Sequence, residues 1–477
     1  MKNLLYLAVG ILLAAVAGCT VGPDYHRPVS KLADQWATPL AGGETNHPPS
    51  DAAWWTTFND AELNSLVERA VSSNLNLRIA TARVREARAA RTYAAAGFWP
   101  TADSQLSYNR QRLSENGFPP FPAGTPLDWD IYQLGFDATW ELDVFGRTRR
   151  TVQAADAGVQ ALEANRRGTV VSLLGEVARN YIEARAFQRR LAIAHNNIRA
   201  QQDVVDLTRN RYQAGLSGDL DVQQATALLA TTQSQIPSLE SGFNQAAYSL
   251  AVLLGQPPGS VTNELAMDAP IPATPPEVPA GLPSELLLRR PDIQSAERQL
   301  AANTAAIGIA IADLYPRFSL TGAAGLQSVT LGDWFTAGSR FWDIGPTVQW
   351  RIFDAGRIRA NIRLQNARQE EALASYEQTV LSAMQDVEMA LTAYAKEQIR
   401  RQSLQQAFDA SRQALQISEQ LYQNGLTDFL RVLEAQRSLY SNEDALAQSD
   451  RTIALDLVTL YKALGGGWQI TEQESKK

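Results

Sequence analysis

The chain is 477 residues long, with 43 basic and 50 acidic side chains and a formal charge of −7. That balance speaks against a nucleic-acid partner, which needs a clustered basic face. A single cysteine excludes an intramolecular disulfide, and a composition 45% hydrophobic and 19% charged is that of an ordinary folded protein.

From the N-terminus, Lys2 supplies a short positive region, and Leu4 to Ala17 form an apolar run too short to span a bilayer. The run ends in Val16-Ala17-Gly18-Cys19, with small residues ahead of the cysteine, so residues 1–18 read as a secretory signal peptide. The stretch is similar to a bacterial lipobox, in which cleavage leaves Cys19 N-terminal and lipid-modified. Thr20 rather than Asp behind it implies, in such signals, sorting to the outer membrane. Residues 19–60 are expected to be an extended, lipid-anchored segment. Beyond the signal no stretch approaches 18 apolar residues in a row, so entry into lipid requires closed β structure.

Two halves then repeat one plan: helix, strand, loop, strand, long helix, turn, helix. The first repeat covers 61–256, with strands over 101–110 and 131–142 and a long helical hairpin over 147–254. Eight prolines between Pro257 and Pro283 mark a structureless linker, 257–283. The second repeat covers 284–468, with strands over 317–327 and 342–352 and a hairpin over 357–464; 469–477 is a tail. Tyr212-Gln213-Ala214-Gly215-Leu216-Ser217 returns 210 residues later as Tyr422-Gln423-Asn424-Gly425-Leu426-Thr427, and Trp140, Gly146 and Arg147 as Trp350, Gly356 and Arg357. Upstream of the strands the offset is 216, as in Trp99-Pro100 against Tyr315-Pro316. As continuous helices, the proline-free stretches after Gly146 and Gly356 each extend about 100 Å. Pro237 should kink the first return helix, whereas the second copy carries Ala447 there.

The strands are two-faced. Tyr132, Leu134, Phe136, Ala138, Trp140 and Leu142 alternate with Gln133, Gly135, Asp137, Thr139 and Glu141. Trp342, Ile344, Pro346, Val348, Trp350 and Ile352 alternate with Asp343, Gly345, Thr347, Gln349 and Arg351. Eleven residues is about the length of a tilted strand that crosses a bilayer. Four such strands cannot close a barrel, and an open sheet in lipid leaves two unpaired edges. Two chains would pool eight strands around a filled interior, and three would pool twelve around a wet lumen. Tyr108, Tyr132, Trp140, Trp342 and Trp350 would then form an aromatic girdle near the interfaces. A soluble antiparallel sheet packed on helices is the alternative.

Several segments together carry a family resemblance. They are Cys19 with Pro23, Tyr25, Arg27 and Pro28, the run Trp140-Glu141-Leu142-Asp143-Val144-Phe145-Gly146-Arg147, Arg289-Arg290-Pro291-Asp292-Ile293, and Leu464-Gly465-Gly466-Gly467-Trp468. On these the chain resembles a TolC-like outer-membrane factor, of the lipoprotein branch that serves tripartite efflux systems. The resemblance implies a homotrimer with four strands per chain in a twelve-stranded β-barrel, and long antiparallel helical hairpins forming an α-barrel in the periplasm. It also implies a periplasmic adaptor and an inner-membrane RND-type pump as partners, with drugs or other small toxic compounds as cargo. A type I protein-secretion duct is a rival of the same fold; a structural periplasmic lipoprotein scaffold is a rival of another class.

No catalytic constellation accompanies this. His26, His47 and His195 lack metal-ligand spacing, nucleotide motifs are absent, and Gly465-Gly466-Gly467 reads as a helix stop. The expectation is a non-enzyme without cofactors. Leu430, Glu434 and Arg437 share one helix face. By the resemblance, that face closes the periplasmic mouth, with Asp221 of the first copy approaching it. A solvated pair between Glu434 and Arg437 or Arg431 is the plainer alternative. By the same resemblance Gly215, Leu216, Ser217, Gly425, Leu426 and Thr427 form the tips that dock the adaptor; plain turn capping is the other reading.

Overall fold

Helix α1, Ala61–Ser73, begins where the Asp60 carboxylate accepts hydrogen bonds from the N–H groups of Glu62 and Leu63, relieving two donors that a helix start leaves bare. The remaining elements of the first repeat are α2 (Leu75–Ala96), β1 (Thr101–Arg112), β2 (Asp128–Leu142), α3 (Arg147–Gln213), α4 (Asp219–Gln233) and α5 (Ile236–Leu253). The second repeat supplies α6 (Pro291–Ala312), β3 (Arg317–Ser328), β4 (Arg340–Gln349), α7 (Arg357–Gln423) and α8 (Phe429–Ala463). Both α2 and β1 recur 216 residues later with the same bounds, and α3 recurs 210 residues later as α7. The duplication read from sequence is therefore a duplication of structure. The computed structural model describes residues 20–29, 35–38, 44–45, 53–117, 122, 124, 126–275 and 278–470. The signal peptide, Cys19, His47 and residues 471–477 lie outside them.

The chain divides into two units. One takes the described residues within Met1–Pro28, Val84–Ala161 and Ala296–Tyr376, and holds the four-stranded sheet. Its order is β1-β2-β3-β4, antiparallel throughout. The register fixes the faces. Leu106 lies opposite Leu134 and Leu134 opposite Leu326; Phe136 opposite Ala324 and Ala324 opposite Trp342; Trp140 opposite Leu320 and Leu320 opposite Pro346. All the apolar series thus fall on one face, because directly opposed residues in antiparallel strands share a side. On the other face Asp103 opposes Asp137, Asp137 opposes Ala323, and Ala323 opposes Asp343.

Strand ends differ from the sequence reading. The first pair is longer, reaching Arg112 and starting at Asp128, because these two residues oppose each other and their side chains pair at 3.2 Å. The last strand stops at Gln349 rather than at residue 352. Asp354 there accepts hydrogen bonds from the N–H groups of Gly356 and Ile358, turning the chain into α7. At the helix side of the sheet, the Trp140 and Trp350 indoles donate to the Phe98 and Leu314 carbonyls, at 2.9 and 3.0 Å, one anchor per repeat. The same unit binds the N-terminal segment. Arg150, 3% exposed, donates to the Val21 and Gly22 carbonyls and pairs with Asp24, and the Tyr25 hydroxyl donates to Glu297.

The second unit takes the described residues within Val29–Arg83, Leu162–Ser295 and Glu377–Lys477. Its core gathers Trp54, Leu63, Leu66, Leu174, Tyr181, Leu250 and Tyr394, with Trp54 stacked on Tyr461 at 5.2 Å. The proline-rich linker is not structureless, which corrects the sequence reading. Thr262–Leu265 is a short helix, and Val278–Pro279 pairs in parallel with Glu44–Thr45. Buried Arg185 secures this connection by donating to the Leu265 and Met267 carbonyls while pairing with Glu62. Pro237 interrupts the return helix of the first copy, leaving α4 and α5 as separate segments, whereas α8 runs unbroken through Ala447.

Gly325 of β3 lies opposite Gly135 of β2. A Cβ there would stand 2.3 Å from the Leu134 carbonyl oxygen and 2.9 Å from the Phe341 ring, whereas at Gly322 the nearest contact is an ordinary 3.5 Å. Gly325→Ala should lower the unfolding midpoint of the purified protein, by a free energy of about 1–3 kcal/mol for such overpacking, while Gly322→Ala should be nearly neutral. Equal midpoints for the two variants would contradict the register.

Candidate functional site

The apolar face of the sheet is uncovered. Trp342 is 77% exposed, and Leu106, Phe136, Ile344 and Val348 are also exposed. A soluble sheet buries such a face, and an exposed patch of this kind marks an interaction surface. Aromatic residues cluster toward the end away from the helices. The Tyr108 and Tyr132 rings lie 5.0 Å apart, and Tyr132 lies 5.7 Å from Trp334. Trp334 was not anticipated, since it sits in the β3–β4 connection, outside any alternating pattern. Trp140 and Trp350 stand at the opposite end, and Trp342, opposite Ala324 and so level with Phe136, lies midway between the Tyr132 and Trp140 levels.

At the helical reversals the two copies use the same device. Gly215 and Gly425 adopt φ of +70° and +73°, and the Leu216 and Leu426 N–H groups donate to the Arg211 and Leu421 carbonyls, both at 2.8 Å. This six-to-one bond closes a helix end and needs a left-handed residue, which glycine adopts without a Cβ penalty. The backbone is satisfied by the turn alone, and the leucine side chains stay 67% and 73% exposed. Capping therefore accounts for the glycines and not for the leucines. Ser217 donates to the Thr208 carbonyl, and Thr427 is half-buried.

Behind the tips, Val205, Ala225, Leu228, Leu229, Tyr422, Phe429, Val432 and Leu433 form a small core. Since Val432 and Leu433 face it and Gln436 is also buried, Leu430, Glu434 and Arg437 are left together on the exposed side of α8. The ion pair that forms joins Glu434 to Arg431 at 3.2 Å. Both partners are exposed, so the pair contributes a few tenths of a kcal/mol. Asp221 lies in the first turn of α4. Two residues here escaped sequence reasoning. The Arg211 guanidinium stacks 4.7 Å from the Tyr422 ring, and neither Arg211 Nε nor the buried Tyr422 hydroxyl has a hydrogen-bond partner among the described residues. Burial raises the Tyr422 phenol above its ordinary value; Arg211 opposes this and Asp221 adds to it. The copies differ here, since Tyr212 at the matching position is exposed.

No His, Cys, Asp and Glu grouping among the described residues could hold a metal ion, and no described helix is long and apolar enough to cross a membrane. Residues 66–256 and 282–466 match the model of the family described as outer membrane efflux protein. The chain belongs to this family. It is 34% identical to the solvent efflux pump outer membrane protein SrpC of Pseudomonas putida over 96% of this chain and 98% of that one. It is also 34% identical to the pyoverdine export outer membrane protein OpmQ of Pseudomonas aeruginosa, over 99% and 98%. The solved structure of the outer-membrane channel OprN, 39% identical, superposes with a TM-score of 0.89 over 94% of this chain and all of that one. The expected TolC-like fold is thereby established at the level of a mostly helical chain with a four-stranded sheet, in a family of outer-membrane channels rather than enzymes.

Within this efflux family member, two of the motifs that carried the resemblance are packing devices. Buried Arg290 pairs with Asp292 and Asp386 and donates to the Ala463 carbonyl at the end of α8. A Cβ on Gly467, φ +101°, would stand 2.5 Å from Leu174 Cδ1. Trp468 donates its indole N–H to the Arg289 carbonyl and carries the Arg167 guanidinium on its ring. The triple glycine thus ends a helix against a crowded wall.

Asp456 shares a cavity with Arg290, Asp386, Met389 and Lys462. Burial, with Glu397 adding repulsion, pushes its carboxyl up to about 6. A carboxyl raised above its unfolded value binds its proton more tightly in the native state, so its charging costs stability as pH rises from about 4 through 6. Asp456→Asn should raise the unfolding midpoint at pH 7.5, by about 1 kcal/mol after allowance for solvent screening, and leave it unchanged at pH 4. Equal gains at both pH values would contradict the assignment.

Proposed function

We propose that this chain is the exit duct of a tripartite efflux pump, passively carrying small toxic compounds from periplasm to exterior. The observation that carries this is a sheet with an uncovered apolar face, a polar opposite face and, among the described residues, no further strand on either edge. Lipid satisfies the apolar face, and only other strands satisfy the edges. Three chains pool twelve strands into a barrel wide enough for water, with Asp103, Asp137, Asp343 and Glu141 on its inner wall. The long hairpins continue the passage into the periplasm, and a lipid on Cys19 holds the assembly in the outer membrane. The chain has no nucleotide motif, so energy comes from an inner-membrane pump of RND type, coupled through a periplasmic adaptor. The names of relatives span solvent and pyoverdine export, which supports a duct whose cargo is chosen by the inner-membrane pump.

The mouth is closed by Leu430, Glu434 and Arg437, with Asp221 beside them, and the tips around Leu216 and Leu426 dock the adaptor. What supports the second assignment is that the turns leave both leucines exposed with their backbone already satisfied; exposed leucines suit burial in a partner hairpin. In planar bilayers, Glu434→Gln with Arg437→Gln should raise the resting conductance of the purified channel several-fold; an unchanged resting current would remove these residues from the gate. Leu216→Asp with Leu426→Asp should abolish cross-linking to the adaptor while leaving channel assembly intact. Cross-linking at the original level would refute the docking role.

A further inference from the structure

The duplication makes one seam of the sheet a template for another. In the chain itself, β2, the second strand of the first repeat, pairs with β3, the first strand of the second repeat. In a closed ring of chains the free edges are β4, again a second strand, and β1, again a first strand. The two seams are thus equivalent under the duplication, and the observed register can be carried across, by 210 residues for the second strands and 216 for the first. Asp137 opposite Ala323 becomes Thr347 opposite Ser107 of the next chain. Ala138 opposite Gly322 becomes Val348 opposite Leu106, and Thr139 opposite Thr321 becomes Gln349 opposite Gln105. Glu141 opposite Ser319 becomes Arg351 opposite Asp103.

We infer that neighbouring chains join in this register, with Arg351 of one chain paired to Asp103 of the next; the inference rests on the trimeric reading above. Four observations support it. Along the seam Val348 meets Leu106, Pro346 meets Tyr108 and Ile352 meets Ala102, while Thr347, Gln349 and Arg351 meet Ser107, Gln105 and Asp103; Trp350 opposite Ser104, Ile344 opposite Arg110 and Trp342 opposite Arg112 are the exceptions, and a one-residue slip would swap the two faces. Asp103 opposes Asp137 within its own chain, and like charges directly opposed are destabilising. Arg351 is exposed on the far edge, and among the described residues it makes no ion pair. It reaches Asp103 only in this register, since a two-residue shift sets it against Thr101 or Gln105. Finally, both edge strands are flanked on the helix side by bare apolar groups, Trp99 before β1 and Ile352 and Phe353 after β4. The pairing also extends β4 toward Ile352, where the sequence alternation runs but the isolated strand does not.

The seams share geometry and differ in chemistry. Phe145 stacks on Tyr315 at 4.5 Å beside the internal seam. The matching residues between chains are Ala355 and Trp99, so that stack is replaced, and the ion pair takes over the fastening.

Disulfide formation in the detergent-purified full chain tests this. Thr347→Cys with Ser107→Cys should oxidise to linked dimers and trimers at several-fold higher yield than Thr347→Cys with Gln105→Cys or with Asn109→Cys. Single-cysteine variants report any contribution from Cys19. A particle of three chains in which a shifted pair links best would overturn the register and leave the trimer standing. A particle of one chain would overturn the trimeric reading and the register with it. Independently, Arg351→Asp should lower the dissociation temperature of the assembly, and adding Asp103→Arg should restore it. A double variant as labile as the single one would remove the ion pair.

Discussion

Backbone groups at the two outer edges of the sheet, and the bare apolar face between them, constrain this molecule more than any side-chain constellation does. Each edge N–H and C=O left without a partner in hydrocarbon costs several kcal/mol. A sheet of four strands has no internal remedy, because β1 and β4 cannot curl round to meet at such a strand number. On the proposed reading the remedy lies in other copies of the same chain, and barrel, lumen and duct then follow from one requirement, that no strand edge faces lipid.

The duplication serves that requirement economically. One repeat supplies two strands and one hairpin, and recurrence with nearly identical bounds lets each seam reuse the same alternation. Departures from the repeat fall where the copies have different tasks. Pro237 breaks one return helix where Ala447 lets the other run on. Tyr422 is buried against Arg211 at one tip whereas Tyr212 is exposed at the other. Phe145 packs on Tyr315, while Ala355 stands in its place in the second copy.

Much of this was legible in the sequence because period-two alternation and proline placement are local signals. The faces of β2 and β4, the bounds of α3 and α7, and the interruption at Pro237 required only neighbouring residues. What was illegible depends on partners far along the chain. Arg290 gave no hint that it would tie Asp386 to the end of α8, 173 residues away at Ala463. The linker looked unstructured because its strand, Val278–Pro279, is too short to show a period and pairs with Glu44–Thr45. The end of β4 was missed since alternation continues to Ile352 while the Asp354 cap pulls the chain away. At the tip, helix-face geometry placed Leu430, Glu434 and Arg437 together, but which arginine meets Glu434 depends on rotamers that spacing does not set.

The most direct measurement places single cysteines along Tyr132–Leu142 in the membrane-embedded protein. Each would be probed with a water-soluble maleimide and, after labelling with a fluorophore, with brominated lipid. Strong maleimide reaction at 133, 135, 137, 139 and 141, with lipid quenching at 134, 136 and 138, is the predicted pattern of a wall between lumen and bilayer. Uniform labelling with no quenching, in a protein that remains dispersed without detergent, would show that the sheet never meets lipid.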